Sequence, residues 1–78
     1  MQKNIVVLMY SAKEIDKLSK YASHDDNDCV VGRIYSRADW GNVQSPLISR
    51  VVSCGSEKSA FQLRLRFNTM PSKGVEFL

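Results

Sequence analysis

The chain begins with a continuous apolar run that changes abruptly to a helical pattern. Residues 4–10 form a run that is apolar after Asn4 and rich in β-branched side chains, which favours a strand buried on both faces and hence central in a sheet. Ser11 and Glu14 follow with the spacing of a capping box, in which each side chain accepts a hydrogen bond from the other's backbone N–H. Apolar residues at helical spacing then predict a helix that ends near Ser23 and buries Ala12, Ile15, Leu18 and Ala22.

The rest of the chain reads as strands joined by polar turns. Residues 60–67 are predicted as a strand with one buried face, because apolar and polar positions alternate from Phe61 to Phe67. The other predicted segments are, in chain order, a polar loop at 24–28, a strand at 29–36, a strand at 47–54, a hairpin turn at 55–58, a loop at 68–74 and a short edge strand at 75–78.

The predicted order is therefore β-α-β-β-β. It indicates an α+β fold, a single domain over residues 1–78 with a small, mainly antiparallel sheet and one helix packed on one face. The first two strands would be parallel if they paired directly, since a helix connects them. The other face of the sheet has no helix to cover it, so we expect it to meet solvent or a partner.

Composition indicates a folded domain and excludes several functions. Hydrophobic residues make up 44% and charged residues 24%, which is ordinary for a folded protein. The 78 residues are too few for a dinucleotide-binding domain, a TIM barrel or a kinase. The sequence shows neither a secretory signal pattern nor the roughly 20 apolar residues of a membrane helix, so we expect a cytoplasmic protein that does not engage a membrane.

The residues that carry catalytic or metal chemistry are few and scattered. Cys29 and Cys54 are too few for a disulfide framework and, with the single His24, too few for a four-ligand zinc site. We expect reduced structural thiols, with the reservation that the two could lie on neighbouring strands. The acidic loop at 24–28 lacks the ligand ladder of a calcium loop, and the four glycines are isolated. We expect no enzyme activity, no metal and no cofactor.

The net charge of +3 belongs to the second half of the chain, where residues 40–78 carry five basic and two acidic residues. By the two-residue period of a strand, Arg64 and Arg66 share one face, and Arg33, Tyr35 and Arg37 share another, with Arg50 close enough to join them. If these faces coincide, arginines surround one tyrosine on the uncovered side of the sheet. Three interpretations of such a stripe are open. It is a sheet face exposed to solvent, it contacts an acidic protein surface, or it binds nucleic acid with Tyr35 stacked on a base.

Trp40, the only tryptophan, lies in the long connection between the second and third strands. It either closes one end of the core or anchors a partner on an exposed loop. The predicted partner-binding residues are Arg33, Tyr35, Arg37, Trp40, Arg64 and Arg66.

The chain is similar in size, single-domain build and lack of a catalytic motif to the small inhibitors that phages and plasmids direct against host machinery. This is a likeness of type that assigns no residue. The predicted function is a small non-enzymatic protein that binds a larger protein or nucleoprotein stoichiometrically, as an inhibitor or adaptor. The alternative is a nucleic-acid-binding module that uses a basic, tyrosine-containing sheet face. A homodimer through the open face or through residues 75–78 is a further alternative.

Overall fold

The computed structural model describes residues 3–35 and 44–70. Within these ranges the elements are β1 (Lys3–Met9), α1 (Ala12–Ala22), β2 (Cys29–Ile34), β3 (Ile48–Cys54), α2 (Glu57–Arg66) and β4 (Asn68–Met70), with a short 3-10 turn at Asp25–Asn27 before β2. The four strands form one sheet in the order β2-β3-β1-β4, and every neighbouring pair is antiparallel. The α+β class and the antiparallel sheet are therefore confirmed.

Strand β1 is central, as its apolar run predicts. It pairs with β3 on one side and with β4 on the other, and its residues from Ile5 to Met9 are buried on both faces. The first two strands do not pair, because β3 lies between β1 and β2. No parallel crossover is therefore formed among the described strands.

Helix α1 begins and ends where the sequence predicts. The Ser11 hydroxyl accepts a hydrogen bond from the Glu14 backbone N–H at 3.3 Å, and Ser23 is the C-cap. The Glu14 carboxylate accepts from the N–H of Tyr10 at 3.0 Å, one residue earlier than the capping box requires. The first bond satisfies a backbone donor of the first helical turn, and the second satisfies the backbone N–H of the residue before the N-cap.

The buried stripe of α1 is narrower than predicted. Leu18 is buried, but Ala12 and Ile15 are exposed, the latter at 37%. Tyr21 supplies the second core contact of this helix, because its ring packs edge-on against Phe67 with centroids 5.6 Å apart. The helix therefore meets the core through Leu18 and Tyr21.

The predicted strand at 60–67 is wrong, because this segment forms helix α2. The predicted hairpin turn at 55–58 is wrong for the same reason: Ser56 is the N-cap of α2 and exchanges two hydrogen bonds with Ser59, both of 3.1 Å. Segment 57–67 contains no β-branched residue and is rich in residues that favour helix. Ala60 and Leu63, spaced for one helical face, are both fully buried against the sheet.

The start of the predicted loop at 68–74 is also a strand. Asn68–Met70 forms β4 and pairs with β1, with Met70 opposite Val6. The predicted edge strand at 75–78 lies outside the described residues.

The two helices cover the same face of the sheet, and over β1 and β3 the opposite face is buried as well. On that opposite face Val6, Leu8 and Val51 are at most 4% exposed. Ser49 is buried beside them and its hydroxyl donates to the Tyr35 carbonyl. Over β1 and β3 this face is thus mainly apolar and closely packed, and the expectation of an open face lined by arginines is wrong there.

Candidate functional site

The predicted arginine stripe is divided between the two sides of the sheet. Arg64 and Arg66 lie on α2, which packs on the helix side. Tyr35 packs on the opposite side, against the cluster of Val6, Leu8 and Val51. A single basic surface around Tyr35 is therefore not formed, because the arginines of α2 and this tyrosine are separated by the sheet.

Arg50 does not join a basic stripe, and its side chain makes a structural contact. It pairs with Ile34 across a bulge in β2, and its Nε and Nη2 donate to the Gly32 carbonyl at 3.0 and 2.7 Å. Bulges leave ladder groups unpaired, so the guanidinium satisfies a carbonyl at the irregular part of the edge strand.

The remaining predicted contact residues divide into two groups. Arg37 and Trp40 lie outside the described residues. Arg33 is exposed on β2, and Tyr35 is half-buried with its N–H donating to the Ser49 carbonyl at 2.8 Å. For these four residues a role in partner contact stays a prediction.

The outward side of α2 carries two large apolar side chains that the fold does not use. Phe61 is 57% exposed and Leu65 is 67% exposed. They are four residues apart on a helix and are therefore neighbours on its surface. Ala60 and Leu63 hold the other side of α2 against the sheet, so Phe61 and Leu65 project away from the core.

Cationic side chains flank this apolar pair. Lys58 and Arg64 are exposed and lie three residues before and after Phe61, on adjoining parts of the helix surface. The neighbouring carboxylate of Glu57 is held by the Lys3 Nζ at 2.8 Å, and this hydrogen bond and charge lower its pKa below the usual value. We call the set of Lys58, Phe61, Arg64 and Leu65 the outer face of α2. Its acidic neighbour is already paired, so the outer face is both apolar and positive.

The C-terminal end of α2 is fixed to α1. The Lys17 Nζ donates to the Arg66 carbonyl at 3.1 Å and lies 5.0 Å from the centre of the Phe67 ring. The Arg66 guanidinium lies 5.7 Å from the centre of the Tyr21 ring. Arg66 thus takes part in helix–helix packing, and the outer face of α2 is presented on a helix anchored at both ends.

Among the residues that the structure describes, the two exposed apolar side chains of β2 form no comparable pair. Val30 and Ile34 of β2 are 60% and 55% exposed, but they point to opposite faces, since Val30 pairs with Ser53 and Ile34 with Arg50. A bulge lies between them, and Arg33 next to Ile34 is charged. Both features disfavour the pairing of an edge strand such as β2 with a strand of another molecule.

Sequence reasoning missed Lys58, Phe61 and Leu65 because it placed them on a turn and on the buried row of a strand. The signal that could have found them is compositional: segment 57–67 lacks β-branched residues, and its helical spacing leaves Phe61 and Leu65 opposite the buried positions.

Neither a family model, a curated protein nor a solved structure matches the chain. Within residues 3–35 and 44–70, no three His, Cys, Asp or Glu side chains are grouped to hold a metal ion. No helix of the described part is long and apolar enough to cross a membrane.

Proposed function

We propose that the protein acts in the cytoplasm by stoichiometric, non-catalytic contact with a larger protein or nucleoprotein, as an inhibitor or adaptor, and that the outer face of α2 makes this contact. The observation that carries the proposal is the exposure of Phe61 and Leu65 as neighbours on a rigid helix. A helix that presents apolar anchors four residues apart is suited to an apolar groove in another protein.

The charges of the outer face specify the partner's chemistry. Lys58 and Arg64 lie beside the apolar pair and form no salt bridge with another residue of the described ranges. Aromatic residues and arginine are enriched in protein interfaces, and complementary charge speeds the encounter of two proteins. The partner that fits is a protein with an apolar groove and an acidic rim.

A pull-down with matched variants tests this function. The tagged protein is incubated with nuclease-treated lysate of its native source or host, and retained proteins are identified by mass spectrometry. We expect one partner in near-stoichiometric amount, lost on Leu65→Glu and retained on Leu47→Glu. Leu47 is the matched control because it is 70% exposed and lies outside α2.

Two outcomes would contradict the proposal. Equal binding by both leucine variants would remove the outer face of α2 as the contact. Loss of every partner after nuclease treatment, with nucleic acid eluting from untreated samples, would favour a nucleic-acid-binding protein, whose affinity should then fall steeply with salt.

A further inference from the structure

Cys29 of β2 and Cys54 of β3 are direct cross-strand neighbours. They are paired in the register of β2 and β3, and their sulfur atoms are 3.4 Å apart. Both are free thiols. The sequence left open whether the two lie close together, and the structure places them side by side.

The backbone around the pair suits a covalent bond between the sulfurs. The N–H of Gly55 donates to the Asp28 carbonyl at 3.1 Å, one residue outside the pair on each strand. This bond marks Cys29 and Cys54 as a non-hydrogen-bonded pair, the class in which opposite Cα atoms are typically about 4.5 Å apart. Separations typical of this class fall at the short end of the range of about 4.4–6.8 Å found for disulfides, so the register of the two strands is compatible with an S–S bond.

The two thiols differ in access. Cys29 is 6% exposed and Cys54 is fully buried. Cys29 lines a cleft of about 490 Å³ between α1 and the β2–β3 edge of the sheet, whose other walls include Ile15, Leu18, Ala22, Val31 and Arg50. A small molecule in this cleft therefore meets Cys29 first.

The hydrogen bonds assign different roles to the two sulfurs. The Cys29 thiol donates to the Asn27 carbonyl at 3.1 Å, so the hydrogen between the sulfurs is donated by Cys54. The hydrogen bond from the Cys54 thiol to the Cys29 sulfur stabilises the thiolate of Cys29 and disfavours the thiolate of Cys54. Burial is the largest cause that raises the pKa of both thiols, and together with the hydrogen bond and charge of Cys29 it raises the pKa of Cys54 to about 12. The groups around the pair are Asp28, Tyr21 and Arg64, of which only Arg64 favours a thiolate, at Cys54.

We propose that Cys29 and Cys54 form a site of reversible covalent modification, which closes to an intramolecular disulfide by exchange with a low-molecular-weight disulfide that enters the cleft. The Cys29 thiolate attacks one sulfur of that molecule, breaks its S–S bond and releases one thiolate. Cys54 then loses its proton and attacks the Cys29 sulfur, which releases the second thiolate. The two thiol protons end on the two released thiolates, and two electrons pass from the protein to the small disulfide.

The closed bond joins the edge strand β2 covalently to β3. In a reducing cytosol the pair stays as thiols, and it closes when the small-thiol pool is oxidised. The raised pKa of each thiol makes this exchange slower than that of an exposed cysteine, since the thiolate is the reacting form.

The test uses oxidised glutathione as the probe. The reduced protein is incubated with it in the absence of oxygen, quenched in acid and analysed by intact mass. We expect a monomer lighter by two hydrogen atoms, restored by a reductant. We expect Cys54→Ser to accumulate one glutathione on Cys29. We expect Cys29→Ser to react at least an order of magnitude more slowly until urea exposes Cys54, because native access needs local opening.

Three results would overturn the proposal: a wild type that stays reduced, a wild type that forms only intermolecular dimers, or single variants that react equally fast in native buffer. Circular dichroism checks that each variant is folded. If a Cys54 variant unfolds, peptide mapping of the wild type at early times replaces it, and the first mixed disulfide must then be on Cys29 and not on Cys54.

Discussion

The burial of Leu63 and Leu65, which are two residues apart, distinguishes a helix from a strand in segment 57–67. In a strand Leu63 and Leu65 point to the same face and are equally buried. In α2 Leu63 is fully buried and Leu65 is 67% exposed. We therefore expect Leu63→Ala to destabilise the protein strongly and Leu65→Ala to leave its stability almost unchanged.

The magnitudes follow from the two environments. Truncation of a fully buried leucine to alanine removes its transfer free energy and leaves a cavity, which together cost about 2–5 kcal/mol. Truncation of Leu65 leaves no cavity, and alanine is the best helix former, so its effect should stay within about 0.5 kcal/mol. A core of this size supplies only about 3–5 kcal/mol, so Leu63→Ala could leave too little folded protein to measure. Leu63→Val, expected to cost about 1 kcal/mol for the lost methylene, gives a measurable variant.

Urea unfolding followed by far-ultraviolet circular dichroism measures these differences. The expected order of stability is wild type and Leu65→Ala together, then Leu63→Val, then Leu63→Ala, with similar dependence on urea throughout. Equal destabilisation by Leu63→Ala and Leu65→Ala would refute the helix and with it the outer face of α2. Leu65→Ala should at the same time weaken binding of the partner, a result that separates the contact role from folding.

Three further predictions concern the N-terminal end of α2, the contact of Gly55 with the turn before β2, and the buried thiol of Cys54. Ser56→Ala removes the N-cap of α2 and should lower the free energy of unfolding by about 1 kcal/mol, measured by urea titration. Gly55→Ala should destabilise only slightly, because its Cβ would lie 2.6 Å from the carboxyl carbon of Asp28, an exposed side chain that can rotate away. The backbone of Asp28 is in the left-handed region (φ 54°), so Asp28→Gly should raise the free energy of unfolding by up to about 1 kcal/mol. It should also reduce the effect of Gly55→Ala in the double variant. Additive effects of the two substitutions would contradict the contact between Gly55 and Asp28. Burial, together with the hydrogen bond and charge of Cys29, raises the pKa of Cys54 from 9.0 to about 12, so the stability associated with its protonated form is complete below pH 9.0 and is lost as the pH rises towards 12. As the pH is raised from neutral to strongly alkaline, the urea concentration at the unfolding midpoint should decrease. The decrease should be smaller in Cys54→Ala.

The parts of the fold that the sequence predicts are those whose signals are local. The apolar run of β1 is long, β-branched and free of polar interruptions, so its burial on both faces follows from composition. The Ser11 cap of α1 follows from a polar side chain at a fixed distance before a helical pattern. Neither result depends on knowing which strands are neighbours.

The errors arise where one segment satisfies two patterns. The row Phe61, Leu63, Leu65 and Phe67 fits the strand period, while Ala60, Leu63 and Phe67 fit the helical one. Composition decides between them, because β-branched residues are absent from 57–67. Sheet order is set by pairings between distant segments, such as Ile5 with Val52, and leaves no local trace in the sequence.

The size of the outer face of α2 limits what it can do alone. Fully burying a large apolar side chain contributes about 1.5–3 kcal/mol, so Phe61 and Leu65, already partly covered, offer a few kcal/mol between them. Each 1.4 kcal/mol changes a dissociation constant about tenfold, and standard interfaces bury roughly 800 Å² per partner. Ten helical residues extend only about 15 Å, which covers part of such an area. A stable complex therefore needs contact beyond α2. The Lys17 Nζ of α1 donates to the Arg66 carbonyl in the last turn of this helix, so the surface of α1 beside that turn is the nearest place for the additional contact.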